Sequence, residues 1–314
     1  NRRALPQARG AAAQQGLLMN TNSEPRRART MAEMAEKMGS MFAGFESPFK
    51  PYEPLPTDVI ITPFAKCGTT WLQQIFHTLR TRGATDYDDI SRVVPWLEVS
   101  ARLGIDVNAP QKAEPRGFKS HLSFTDVPKG AKYILSMRDP RDALVSMYRF
   151  MEGWFLEPGA VSLEAFARAN YVNDPDKGYW GHLRSWWDVR DNPNVLMLSY
   201  EAMNADPTLA IKRVAEFCNI SLDDELLAIT LKHSSLAYML ENKHQFDDHM
   251  FVELSESVAG IPKGSDSAKV REGKVGGHAK VLSPELIATL DDIWASQITA
   301  RYGFNTYQDM AAAL

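Results

Sequence analysis

Val59-Ile60-Ile61-Thr62-Pro63-Phe64-Ala65-Lys66-Cys67-Gly68-Thr69-Thr70-Trp71 reads as three pieces. Residues 59–62 are β-branched throughout, the composition of a strand buried on both faces. Pro63 ends that strand, and Lys66 and Gly68 make a turn. From Thr69 the pattern TTWLQQIFHTLR sets Trp71, Ile75 and Leu79 at i, i+4 and i+8, one face of a helix. A helix start offers free N–H groups and a partial positive charge, so anions bind there. Gly68 lets the backbone approach the anion, Thr69 and Thr70 add donors, and Lys66 adds a full charge. The order is not that of a Walker loop, which puts its lysine after the second glycine. The plainer alternative is a strand–turn–helix with an incidental lysine.

Working outward, residues 133–137 (YILSM) form a second apolar strand that runs into Arg138-Asp139-Pro140-Arg141-Asp142. Open α/β sheets bind ligands at the carboxyl ends of their strands, which is where Arg138 stands. A guanidinium fork suits a phosphate dianion, and Ser146 follows one turn beyond Asp142. An Arg–Asp surface pair is the competing reading. Residues 117–120 are a short extended piece and 195–198 (VLML) a third strand. Helices are expected over 141–154, 162–170 with Ser162 as cap, 207–218 and 223–231. Another opens at Ser283-Pro284-Glu285. The alternation predicts an α/β fold, a central parallel sheet flanked by helices. Residues 242–280 are polar and hold most of the late glycines, so they read as a long loop. With no internal repeat, residues 45–314 form one domain. Residues 1–44 are then an extension, largely disordered, with a short helix at 31–41. His77, three residues before Arg80, reads as a helix-surface residue.

The 314 residues are 44% hydrophobic and 24% charged, and the 10% aromatic content is too rich for a disordered chain. No apolar run reaches the roughly 18 residues of a membrane span. Two cysteines are too few for a disulfide scaffold or a four-cysteine zinc site, which points to the cytoplasm. Net charge is −4, although residues 1–30 hold six arginines against Glu24 alone, so the body is distinctly acidic. An acidic body argues against nucleic acid as partner. The histidines show no HExxH spacing, and no metal is expected.

The two anion segments together resemble cytosolic-type sulfotransferases that use 3′-phosphoadenosine 5′-phosphosulfate. Residues 65–71 are similar to the family's 5′-phosphosulfate loop, and Arg138-Asp-Pro-Arg-Asp-Ala-Leu-Val-Ser146 to its 3′-phosphate motif. Further similar stretches are Val94-Pro95-Trp96-Leu97-Glu98, Lys119-Ser120-His121-Leu122, Arg184-Ser185-Trp186-Trp187, Tyr200-Glu201, His233-Ser234-Ser235 and Arg271-Glu272-Gly273. They occur in the family's order between about 45 and 300. Phe64, Ala65 and Cys67 depart from the usual Tyr, Pro and Ser; Glu272 stands for a lysine, and Leu236 for an aromatic. The family's short dimerisation motif is absent, which leaves the oligomeric state open.

The resemblance implies a P-loop-like nucleotide-binding sulfotransferase fold and sulfuryl transfer to a hydroxyl or amine, leaving adenosine 3′,5′-bisphosphate. His121 is then the general base, Lys66 stabilises the leaving oxygen, and Lys119 helps hold the sulfuryl group and acceptor. The phosphosulfate loop comprises Lys66, Cys67, Gly68, Thr69 and Thr70. Arg138, Ser146 and Arg271, with Glu272 and Gly273, face the 3′-phosphate, while Trp71, Tyr200 and Ser234 surround adenine. Trp96, Phe150, Trp154 and Phe155 suggest an apolar pocket for a small, aromatic or apolar acceptor. Residues 242–270, with Phe246, Met250 and Phe251, suggest a lid. Cys67, beside a helix start and Lys66, is expected to have a lowered pKa and to react with alkylating agents unless nucleotide protects it. Cys218 is expected to be buried and inert. Two rivals are an ATP- and magnesium-dependent small-molecule kinase and a non-catalytic nucleotide-binding module.

Overall fold

Four strands lie side by side, all parallel, in the order β2-β1-β3-β4: β1 is Val59–Ile61, β2 Gly117–Lys119, β3 Lys132–Met137 and β4 Val195–Ser199. The computed structural model describes residues 26–42, 51–265, 269–270, 273 and 275–314. Every strand residue except Lys132 is buried, as in a sheet covered on both faces. Alternation along the strands sorts the side chains into two apolar clusters. Ile60, Tyr133, Leu135, Met137, Val195 and Met197 enter one; Val59, Ile61, Ile134, Leu196 and Leu198 enter the other.

Helices cover both faces. Thr69–Thr81, Pro207–Phe217 and Asp224–His233 supply Leu72, Ile75, Ile211 and Leu226 to the second cluster. Pro140–Gly153, Gly178–Trp187 and Pro284–Trp294 supply Leu144, Trp186 and Leu290 to the first. The starts of these helices are fixed locally. Asp139, Asp206 and Ser283 each accept an N–H from the first turn with Pro just inside the helix, and Ser162 caps Leu163–Ala167 in the same way. Gly117 is required by a close approach, since a Cβ there would lie 2.1 Å from the Phe76 ring.

Three expectations are corrected. The Thr69–Thr81 helix is buried on all sides from Leu72 to Arg80, so His77 is not a surface residue. Its ring packs edge-on to Tyr87 at 5.2 Å, and Arg80 donates to its Nδ1 at 3.4 Å. Residues 242–280 are not one long loop, because His249–Ala259 is an 11-residue helix with Phe251, Val252, Ser255 and Ala259 on its buried side. Nor does the packed body begin at 45. The helix Met31–Phe42 buries Met34 and Met41 in the first cluster. Ala28 takes an N–H from Glu157 and donates to the Phe155 carbonyl, each at 2.8 Å. Residues 26–42 are thus held by backbone pairing and apolar burial, which a compositional reading of a basic tail overlooks.

Candidate active site

The carboxyl ends of β2, β1 and β3 are neighbours, so the segments that follow them converge. After β1, Lys66 and Gly68 both take positive φ, 68° and 99°. This is the left-handed turn that points the following helix at the sheet edge, and it is costly for Lys66. A side chain on Gly68 would come within 3.1 Å of both Ser136 Oγ and the Tyr200 ring, so strain and packing both demand glycine there. The first amides of Thr69–Thr81 have no helical partner. The Thr69 hydroxyl is buried without a hydrogen-bond partner among the described residues, and Thr70 is half-buried.

Cys67 goes the other way. Its thiol is fully buried in the first apolar cluster, while its carbonyl accepts from Ser136 Oγ and its amide donates to the Phe64 carbonyl at 3.0 Å. Burial pushes the thiol up to about 12, outweighing the pull of Arg138 and Lys66. The expected low pKa and reactivity are therefore overturned: the helix start faces one way and the sulfur another.

Arg138, at the end of β3, donates from Nη1 to the Lys66 carbonyl at 2.9 Å and lies 4.4 Å above the Tyr200 ring. Tyr200 meets Trp71 edge-on at 5.7 Å. A side chain on Gly273 would meet Leu236 and the Tyr200 hydroxyl at 3.3 and 3.7 Å. Gly68, Trp71, Arg138, Tyr200 and Gly273 thus form one cluster. Ser146 is half-buried on Pro140–Gly153, and Ser234 is buried with its hydroxyl donated to the Thr230 carbonyl at 2.7 Å. Arg271 and Glu272 lie outside the described residues. A strained glycine turn, a buried hydroxyl without a partner and a guanidinium over an aromatic ring fit a nucleotide that carries phosphate groups.

β2 delivers the next group. His121 Nδ1 lies 2.8 Å from the Pro63 carbonyl, which can only accept, so Nδ1 carries the proton and Nε2 the lone pair. Burial and then the Lys119 charge push the imidazole down to about 3. The His121 amide and Ser120 Oγ donate to Glu98 Oε1 at 2.7 and 3.2 Å, and burial raises the Glu98 carboxyl. Lys119 places its ammonium 3.9 Å over the Trp96 ring and donates to Asp248 Oδ2 at 2.7 Å. Burial lowers it to about 8, even though Asp248 raises it. Lys66 Nζ lies 4.2 Å over the Phe150 ring and donates to the Lys269 carbonyl at 3.5 Å.

Aromatic rings enclose these cations. Trp96 packs edge-on to His121 at 5.4 Å and to Phe251 at 5.1 Å, and Phe251 meets Trp154 at 5.3 Å. Phe150 and Phe155 flank Trp154 at 5.0 and 5.4 Å. All four expected pocket residues are brought together, Phe155 deepest. Asp248, Lys269, Ser136 and the role of Glu98 are not expected from the sequence. Glu98 lies within a quoted stretch, whereas nothing local marks Asp248. Among the described residues no group of three His, Cys, Asp or Glu could hold a metal ion, and no helix is long and apolar enough to cross a membrane.

Known proteins resemble the chain in sequence and in fold. The family described as Sulfotransferase domain matches residues 56–303. Sulfotransferase 1B1 of Mus musculus is 31% identical over 238 residues, covering 72% of this chain and 77% of that protein. Luciferin sulfotransferase of Photinus pyralis is 26% identical over 307 residues, covering 88% and 80%. Among solved structures, retinol dehydratase in complex with androsterone and inactive cofactor PAP superposes with a TM-score of 0.66 at 18% identity, covering 91% of this chain and 98% of that one. The expected α/β sulfotransferase fold and enzyme class therefore hold, and the chain belongs to the sulfotransferase family.

Proposed function

We propose that the protein transfers a sulfuryl group from 3′-phosphoadenosine 5′-phosphosulfate to a hydroxyl or amine of a small apolar or aromatic acceptor, with His121 as general base. The observation that carries the reading is the tautomer of His121: Pro63 fixes Nδ1–H, leaving Nε2 to take the acceptor's proton. When bound, the donor supplies an electrophilic sulfuryl group on a phosphate leaving group. Lys66, held by the strained turn, supports the charge that develops on the leaving oxygen. Lys119 steadies the transferring group, and the Pro63 carbonyl stabilises the imidazolium as it forms. Thr69 and Thr70 grip the 5′ side and Arg138 and Ser146 the 3′-phosphate, while Trp71, Tyr200 and Ser234 border the base. The shell of Trp96, Phe150, Trp154 and Phe155, joined by Phe251, supports an apolar acceptor, and the androsterone held by the retinol dehydratase neighbour belongs to that class. Two free, buried cysteines support a cytoplasmic setting. Residues 26–314 then act as one catalytic domain.

The test is His121→Ala. Turnover should fall by about 10²–10⁴, the usual worth of a general base, while calorimetry shows unchanged affinity for adenosine 3′,5′-bisphosphate. A variant that keeps more than half its activity removes His121 from this role.

A further inference from the structure

Asp248 is a buried carboxylate that the reaction as described leaves without a task. Its side chain is 3% exposed and that of Lys119 2%. Lys119 Nζ donates to Oδ2 at 2.7 Å, Lys269 Nζ donates to the same oxygen, and Ser91 Oγ donates to Oδ1. Three segments of the chain thus converge on one acid. Asp248 also stands directly before the helix His249–Ala259, where an aspartate ordinarily caps the first turn. It makes no cap bond there and adopts φ 51°, a left-handed conformation that is unfavourable for a residue with a side chain. The carboxylate is aimed at the lysines instead of at its own helix. Lys269 in turn offers its carbonyl to Lys66 Nζ, so Asp248 connects both cations of the site.

We propose that Asp248 is a positioning residue for sulfuryl transfer: its carboxylate holds the Lys119 ammonium over Trp96 and keeps it charged, and through Lys269 it sets the place of Lys66. This rests on the reading of Lys119 as a working cation. A buried lysine tends to lose its proton, and the nearby carboxylate is what opposes that loss. The other ionisable groups around Lys119 are Lys269 and His121, whose charged forms disfavour its proton, and Asp89 and Glu98, which favour it; His249 pairs with Asp89 at 3.2 Å. Asp248 is the one in direct contact with the ammonium.

The experiment is the pH dependence of kcat for the full chain and for Asp248→Asn, which keeps an acceptor oxygen but no charge. Burial lowers Lys119 to about 8, and without the carboxylate the alkaline limb should move down by about one pH unit or more, so activity at pH 8, scaled to each protein's own plateau, falls by about fivefold or more. Acceptor KM should stay within about twofold, since the aromatic shell is untouched. A folded Asp248→Asn protein with an unmoved limb overturns the proposal, because a purely structural acid would lower stability without moving that limb. Should Asp248→Asn not fold, Asp248→Ser also removes the charge while keeping a small acceptor, and its limb moves the same way; no movement overturns the proposal equally. Lys119→Ala separates the two layers. Full activity there defeats the reading of Lys119, whereas an inactive Lys119→Ala beside an unmoved limb defeats Asp248 alone.

Discussion

β2 is three residues long and carries a buried cation at each end, yet the two ends are built differently. At the amino end Arg116 grips Asp58 with both arms of its fork, Nε to Oδ1 at 2.8 Å and Nη2 to Oδ2 at 2.6 Å. Tyr52 and the Leu55 amide complete that acid, and the Asn108 and Glu53 carbonyls take two more guanidinium protons. At the carboxyl end Lys119 is a point charge that shares one carboxylate oxygen with Lys269. A guanidinium stays charged at any working pH, and its planar fork fixes geometry; an ammonium in a buried setting titrates and its contacts can be redistributed. The amino edge is built to hold the sheet together, and the carboxyl edge holds a titratable charge, the one the proposed reaction would use.

The strongest way to break this contrast is to remove each cation. Arg116→Met leaves Asp58 buried and uncompensated, and should cost about 3–5 kcal/mol in denaturant unfolding. The double variant Asp58→Asn with Arg116→Met should recover part of that loss, since Asn keeps an acceptor for Tyr52 and Leu55. Lys119→Met should cost clearly less stability, because Asp248 retains Lys269 and Ser91, while its turnover collapses. Equal destabilisation by the two single variants would remove the distinction between the edges.

Acid sharpens it further. Burial holds His77 near the amino edge and His121 at the carboxyl edge down to about 3, and His182 to about 4. In the unfolded chain these rings titrate near 6.5. Below that pH the unfolded state binds protons that the folded state refuses, so stability falls as pH drops from about 6.5 towards 4. Each ring contributes a slope of about 1.4 kcal/mol per pH unit in that window. Urea midpoints measured across it should flatten in His77→Gln by one ring's share with turnover intact, whereas His121→Gln flattens the slope and abolishes turnover. A pH-independent midpoint would mean that these rings are not held neutral.

The nucleotide half of this edge was legible because local rules write it. A β-branched run, a positive-φ glycine and a helix start are consecutive in residues 59–71, and the Asp139-Pro140 start is equally local. The other half is assembled by tertiary contact. His249–Ala259 has an aspartate at its start, yet Asp248 turns its carboxylate to two lysines, and the helix sits within a polar, glycine-rich stretch whose composition reads as loop. The burial of His77 is not legible locally, because Trp71, Ile75 and Leu79 mark one buried face, whereas sheet, Tyr87 and the loop before β2 cover every face. Composition alone hides the packing of residues 26–42, although Ala28, Met34 and Met41 are the kind of small and flexible residues that fill a core.

The smallest effect expected concerns the two thiols, one at each edge. Cys67 is fully buried at the carboxyl edge. Cys218 is 6% exposed and lines a cavity of about 820 Å³ beside Arg80 and Lys132 at the amino edge. Burial pushes both up to about 12, so at pH 8 the thiolate is roughly one part in ten thousand of each. Native protein should therefore resist iodoacetamide over hours, and both cysteines should label promptly in denaturant. Of the two, Cys218 should react first, because reagent can enter its cavity, and adenosine 3′,5′-bisphosphate should leave that order unchanged. Fast labelling of Cys67 that the nucleotide suppresses would mean that the turn at Lys66–Gly68 exposes its sulfur in solution, and the carboxyl edge would then be looser than its packing against Ser136 and Tyr200 implies.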